Sequence, residues 1–457
     1  MVVILGAGLA GLSAAYHLGD RDVLVVERES EPGGLCRSIR RNGFTYDFTG
    51  HLLHLRDEGI RSLVHELLPK GYAKLHRSAW IHSYGSLTPY PFQANTAGLP
   101  IDVRLECLLG FVEAMAGGQQ QELPVPAPVP IDPSLPFLAS CPAPSADEPT
   151  FLDWIMRTFG AGFAKHFFVP YNHKMWRRDL SEVTGDWVSW SIPRPELADV
   201  LRGALTDSGK TFGYNPDFLY PSAGGIDHLP RSLANKLSPG TVQLNCSVEE
   251  LNAKKGLVRF SNGETQQSEL ILSSLPLPKL AALTSDLPDD LAAAAASLSH
   301  VSIRAVNLGI AGAPPHPDAQ WVYCPDPSLN FHRIGLPCAL TPAMSPEGHH
   351  SIVAEISYRP EDDCGADVSL EQTLDGLQST GFLSDASKVV DSFVVDIPEA
   401  YVVFDRERRK VLPALYRWYL DRGVVTMGRY GTWDYLAMED SLVHGRQVAT
   451  WIDGRTS

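Results

Sequence analysis

The residues best suited to chemistry stand at the start of the chain, where an apolar run at positions 2–5 meets Gly6-Ala7-Gly8-Leu9-Ala10-Gly11. That pattern reads as a buried strand, a tight glycine turn and a helix continuing over positions 12–18. Gly6 permits the turn, Gly8 lets the backbone come close to a pyrophosphate, and Gly11 lets the helix pack on the strand. The opening turn of that helix, with Leu9 and Ala10, points free N–H groups at the anion. A second apolar run at 23–26 ends in Glu27, sixteen residues after Gly11. A carboxylate there accepts hydrogen bonds from ribose hydroxyls and repels a 2′-phosphate, so the chemistry is capture of a dinucleotide other than NADP.

The next stretch, Glu27-Arg28-Glu29-Ser30-Glu31-Pro32-Gly33-Gly34-Leu35-Cys36-Arg37, resembles the E-x(5)-G-G motif of FAD-binding proteins of the glutathione-reductase type. The resemblance implies FAD, with Arg28, Gly33, Gly34, Leu35 and Arg37 beside it. Gly33 and Gly34 allow a second close backbone approach; Arg37 either adds positive charge at the pyrophosphate or sits on the surface. An aromatic-rich strand from Gly43 onward ends in a Gly50-His51 turn placed to lie near the isoalloxazine ring. His51 bonds the flavin or donates a proton to substrate, unless loop backbone satisfies it. Val248 resembles the residue that lies against the flavin adenine. A strand at 424–427 runs into Gly428-Arg429, and Met438, Asp440 and Ser441 precede a closing helix at 442–451. That unit presents backbone N–H groups to the flavin, with helix capping as the simpler role for Asp440 and Ser441.

The elements that must hold these residues are drawn from 457 residues, 44% of them hydrophobic, enough for more than one lobe. The expected fold class is α/β: a doubly wound, Rossmann-like FAD-binding domain, a helical domain and an antiparallel-sheet substrate domain. Strands at 269–273 and 424–427 return to the nucleotide sheet, so the FAD domain is discontinuous, over 1–95, 214–278 and 398–457. Residues 96–213 are mainly helical, with Phe151, Trp154, Ile155 and Phe159 as a core stripe, and carry a proline-rich insertion at 123–150 that reads as a linker or flap. Residues 279–397 form the substrate sheet, with strands at 301–310, 321–324 and 352–358. The net charge of -15 excludes non-specific binding to nucleic acid or anionic membranes. The seven cysteines include no C-x-x-C pair, so no zinc or dithiol site is expected. With no basic leader and no bilayer-length apolar stretch, a cytoplasmic enzyme with a small-molecule substrate is expected, its oligomeric state open.

Together these pieces resemble, over almost the whole chain, the flavin-dependent UDP-galactopyranose mutases, within the wider superfamily of amine and protoporphyrinogen oxidases. The resemblance rests on Tyr90-Pro91-Phe92-Gln93-Ala94-Asn95, Pro170-Tyr171-Asn172-His173-Lys174-Met175-Trp176, the Thr49-Gly50-His51 turn and Gly428-Arg429-Tyr430-Gly431-Thr432-Trp433-Asp434-Tyr435. The Ala-Gly-Glu-like turn usual near the C-terminus of amine oxidases is missing. In the mutases, reduced flavin N5 attacks the anomeric carbon and displaces UDP with no net redox change, and two arginines grip the diphosphate. Matching by eye puts Ser191 and Ala311 at those arginine positions, so Arg177, Arg178, Arg194, Arg304 or Arg333 would have to replace them. The expectation is therefore an FAD-dependent oxidoreductase of mutase-like architecture, acting at flavin N5 on a small organic or sugar-like substrate. A nucleotide-sugar mutase using reduced FAD and a non-catalytic flavoprotein are the alternatives. His51 is the expected catalytic group, and Phe92, Tyr171, Asn172, Lys174 and Trp176, with Tyr323 and Tyr435, the expected substrate contacts.

Overall fold

A computed structural model of the chain describes residues 1–117, 127–140, 145, 148–188, 192–207 and 216–456. Val2–Leu5 (β1) is buried along its whole length, as a parallel strand covered on both faces must be. It lies between Val23–Val26 (β2) and Ile271–Ser273, with Val242–Gln243 beyond β2 and Val424–Thr426 beyond 271–273. All four pairings are parallel. The carboxyl ends of β1, β2 and the 424–426 strand therefore share one edge, the edge at which open α/β sheets bind ligands. That edge carries Gly6, Glu27 and Gly428.

Helix Leu9–His17 (α1) covers the sheet and is crossed by the closing helix Met438–Thr456. The two run so close that a Cβ on Gly445 would stand 2.5 Å from Ala14 N. The closing helix starts at Met438, one turn earlier than expected, so Asp440 and Ser441 lie inside its first turn. The outermost strand, Val242–Gln243, does not continue to Val248. Val248–Asn252 belongs instead to a separate antiparallel sheet with Leu257–Phe260 and Thr265–Gln267, and the chain turns between the two pieces where Asn245 adopts φ 54°.

A seven-stranded sheet forms the other lobe, in the order Val389–Val402, His300–Ala311, His349–Tyr358, Arg333–Gly335, Trp321–Tyr323, Ala79–Ser83 and Ser86–Pro89. Its last two strands come from within 1–95, through parallel pairing of Ala79–Ser83 with Trp321–Tyr323. That early segment thus serves both lobes. Helices Ile101–Ala116 and Phe151–Phe163 pack at glycines: a Cβ on Gly162 would meet Glu106 O at 2.1 Å. Thr150 and Asp153 form a capping box that starts the second helix, and Phe151, Trp154, Ile155 and Phe159 are buried as expected.

The described part of the proline-rich insertion is neither linker nor flap. It is a hairpin, Val129–Asp132 with Leu135–Ser140, whose Leu135 and Leu138 are fully buried in the core of the nucleotide lobe.

Candidate functional site

At the ligand edge of the nucleotide sheet, two glycine turns touch. Gly33 N donates to Ala7 O at 2.8 Å, and a Cβ on Gly34 would lie 3.5 Å from Gly8 Cα. Gly8 heads α1 without a side-chain cap, and the space where its Cβ would point is open. Gly6 adopts φ +100°, and a Cβ on Gly11 would stand 2.0 Å from Gly6 O, so only glycine lets the helix leave the strand this closely. Glu27 is buried at the tip of β2, its Oε2 accepting from Ala7 N at 2.8 Å and its Oε1 from Glu29 N at 3.1 Å. A carboxylate accepts about four hydrogen bonds, so capacity remains for a ribose. An uncapped helix start, an open glycine cradle and an acid at the next strand tip fit the ADP half of FAD.

The remaining cofactor candidates lie on several elements. Arg37 braces it, donating from Nε to Gly34 O at 2.8 Å and from Nη1 to Glu29 Oε2 at 3.1 Å. Arg28 is exposed and also pairs with Glu29. Leu35 packs against the Ile303 and Ile397 cluster, and Val248 against the nucleotide core. Gly428 adopts φ +72° and touches α1, a Cβ there falling 2.7 Å from Ala10 Cβ. Met438 is buried. Asp440 accepts from Ala437 N at 2.8 Å and from Arg56 at 3.0 Å, while Ser441 donates to Ala437 O at 3.4 Å. These two residues close the start of the helix, the simpler of the roles open to them.

The substrate lobe presents a cross-strand row. Tyr323 pairs with Arg333 and Arg333 with Glu355, so the three side chains stand on one face of the sheet. Arg333 Nη2 donates to both oxygens of the buried Glu355, at 2.8 and 2.7 Å. Aromatic rings wall this cation. Tyr171 lies edge-on to Tyr323 at 5.4 Å and to His332 at 6.1 Å, Tyr90 is tilted against Tyr323 at 5.4 Å, and Tyr401 stacks with Tyr435 at 6.3 Å. Burial drives the phenols of Tyr90, Tyr171 and Tyr401 well above the ordinary tyrosine value, so they stay protonated donors. A second cation, Arg429, lies 4.4 Å over the Tyr435 ring and donates to Leu436 O and Ala400 O. Its Nε is buried without a partner.

His51 sits between the two halves. Burial pushes its imidazole down to about 4, a hydrogen bond with Thr49 O opposes that shift, and Arg429 and Arg333 add to it. Its Nδ1 lies 3.0 Å from Thr49 O, which selects the tautomer with the proton on Nδ1 and leaves Nε2 an acceptor. Of the roles open to His51, loop backbone satisfies its Nδ1, and the neutral ring offers an acceptor at Nε2. Gly50 beside it has open space at its Cβ position.

Four expected substrate contacts are corrected. Phe92 is fully buried and stacks on Phe167 at 4.9 Å in the helical core. Asn172 spends its amide within its own helix, donating to Phe168 O at 2.8 Å. Lys174 directs its ammonium to three backbone carbonyls, Cys324 O, Asp326 O and Phe331 O, at 2.9, 2.7 and 2.6 Å. Trp176 is buried behind Tyr401 and against Trp187, forming wall rather than contact surface. Ser191 lies outside the described residues, and Ala311 ends its strand opposite His349. Glu355 and Tyr401 are the site residues that sequence reasoning missed. A lone acid in the otherwise apolar run at 352–356 was the available signal for Glu355.

Comparison with known proteins agrees with this architecture. The family model of flavin containing amine oxidoreductase matches residues 9–380. A probable flavin-containing monoamine oxidase A of Dictyostelium discoideum is 23% identical over 288 residues, covering 61% of this chain. The chain spans 58% of that relative's length. A crystal structure of reduced UDP-galactopyranose mutase superposes with a TM-score of 0.89 at 25% identity, over 99% of this chain and 94% of that one. A putative protoporphyrinogen oxidase from Exiguobacterium sp. 255-15 shares the fold at 14% identity, with a TM-score of 0.73 over 99% and 98%. No helix among the described residues is long and apolar enough to cross a membrane. The chain belongs to the flavin containing amine oxidoreductase family and is an FAD-dependent enzyme.

Proposed function

We propose that the enzyme rearranges an anionic sugar of the nucleotide-sugar class, working with reduced FAD and without net oxidation of the substrate. The observation that carries this reading is Arg333, a half-buried guanidinium held by the buried Glu355 in a cage of tyrosines. Its position supplies a cation that the matching of Ser191 and Ala311 had seemed to remove. When bound, FAD supplies nucleophilic chemistry in its reduced state and hydride acceptance in its oxidised state. The chain does the rest. Arg333 holds the anion, the protonated phenols of Tyr171 and Tyr401 donate to oxygens of the sugar or diphosphate, and Trp176 and Trp187 keep water from the back of the site. His51, neutral, accepts a proton at Nε2. A charge-assisted hydrogen bond in such a site contributes about 1.5–3 kcal/mol. The extent of the likeness to reduced UDP-galactopyranose mutase supports the same reading.

The test is to incubate dithionite-reduced enzyme with UDP-galactopyranose and resolve the sugar ring forms. Furanose product from the reduced enzyme alone, with no oxidised sugar, is expected. Ring-form ratios that ignore the flavin's redox state overturn the reading. The second reading, oxidation of an organic substrate, is favoured by the family match, which spans residues 9–380. Anaerobic bleaching of the flavin by substrate, with an oxidised product, identifies it.

A further inference from the structure

The hairpin Val129–Asp132 with Leu135–Ser140 takes no part in the chemistry above, yet its second strand packs against the closing helix. Leu135 and Leu138 anchor it in the nucleotide core. Between them, the Phe137 ring stacks on His444 of the closing helix, centroids 4.1 Å apart and planes 21° apart. His444 Nδ1 in turn accepts from Gly428 N at 3.2 Å. Gly428 opens the turn at the ligand edge of the sheet and touches Ala10 in the first turn of α1. One chain of contacts thus joins an insertion to the pyrophosphate helix.

We infer that the hairpin is a cofactor-retention clasp: Phe137 seals His444, and His444 holds the Gly428 amide and with it the turn against which FAD is seated. Both are positioning residues, and the inference is independent of which substrate is turned over. The hydrogen bond requires an unprotonated Nδ1, and the seal provides it. Burial alone pushes His444 down to about 3, with no charged neighbour contributing. The charged groups on the surrounding elements face elsewhere: Arg429 toward Leu436 O and Ala400 O, Arg446 toward Asp57, Arg408 toward Trp433 O and Asp434, and Glu439 toward Arg56. His17 on α1 bonds within its own helix, to Ser13.

The experiment follows FAD release from the purified holoprotein by recovery of free-flavin fluorescence, between pH 5 and 8. In Phe137→Ala, release at pH 8 is expected about three- to tenfold faster than in the unaltered protein, the worth of an aromatic pair. Below pH 6.5 the gap should widen, because an exposed imidazole protonates and Nδ1 becomes a donor facing the Gly428 N–H. Phe137→Leu, which keeps an apolar cover, should restore slow, pH-independent release. His444→Leu, which lacks the acceptor, should release FAD faster at every pH without the acid limb. Release from Phe137→Ala at the unaltered rate, or faster by one constant factor across the pH range, overturns the inference. If Phe137→Ala does not fold, release from His444→Leu as slow as from the unaltered protein overturns it equally.

Discussion

Arg333 and Glu355 show how a half-buried cation is kept ready for an anion. The pair lies in one cross-strand row, and two short hydrogen bonds to one carboxylate stabilise the guanidinium while leaving its other nitrogens for a ligand. Removing the partner charge should separate stability from binding. Glu355→Gln leaves Arg333 unbalanced, which costs about 3–5 kcal/mol of folding stability for a fully buried pair, less here because Arg333 is about a quarter exposed. The same change should tighten binding of UDP to the holoprotein, since the ligand no longer competes with Glu355. Calorimetric unfolding and UDP titration of the one variant check both signs, and weaker binding with unchanged stability would refute the argument. His51 gives a second expectation at this scale. Held down to about 4, it stays neutral while an exposed histidine titrates near 6.5, so its NMR resonances should not move between pH 5.5 and 8. The unfolded chain takes up that proton first, so His51 makes the fold less stable as pH falls from 6.5 toward 4.

Elements explain why some of this was legible in the sequence and some was not. The nucleotide edge was, because each of its parts is a backbone requirement: Gly6 for its positive φ, Gly11 for a 2.0 Å approach, Glu27 for a strand tip. Gly11→Ala should therefore push α1 off β1 and yield colourless protein that FAD does not restore, read by absorbance after gel filtration. The substrate wall was only half legible. Tyr171 and Tyr323 stood among the expected substrate contacts, but the register that sets Arg333 opposite Glu355, 22 residues later, is one that periodicity alone does not align. Lys174 was misjudged for a related reason: nothing in a helix reveals that three carbonyls of a distant hairpin converge on one of its side chains. That convergence ties the helix carrying Tyr171 to the hairpin carrying Tyr323 and Arg333. Lys174→Met should raise hydrogen exchange across 324–331 and weaken UDP binding, while FAD stays bound. Protection unchanged in that hairpin would show that the clamp is dispensable.

Across the whole molecule, the nucleotide lobe is assembled from chain segments far apart in sequence, and ion pairs between them bind the parts. Asp57 caps helix Glu58–Leu67 through Ile60 N and also accepts both amino groups of Arg446 on the closing helix, at 2.9 and 2.6 Å. One carboxylate therefore fastens an N-terminal helix to the last helix of the chain. The Arg446 guanidinium, helped by the helix N–H, lowers its pKa from 3.8 to about 2. A depressed carboxyl adds stability above the ordinary value and gives it up as pH falls toward 2. Both side chains are about a third exposed, so solvent screening limits the contribution, and cap and bridge together are worth about 1–2 kcal/mol. Asp57→Asn keeps the cap and loses the bridge, so it should be less stable than the unaltered protein by about 0.5–1 kcal/mol at pH 7, with the difference shrinking between pH 4 and pH 2. Chemical denaturation of the two proteins at each pH measures it. A deficit that persisted undiminished at pH 2 would mean that the Asp57 charge does not tie helix Glu58–Leu67 to the closing helix.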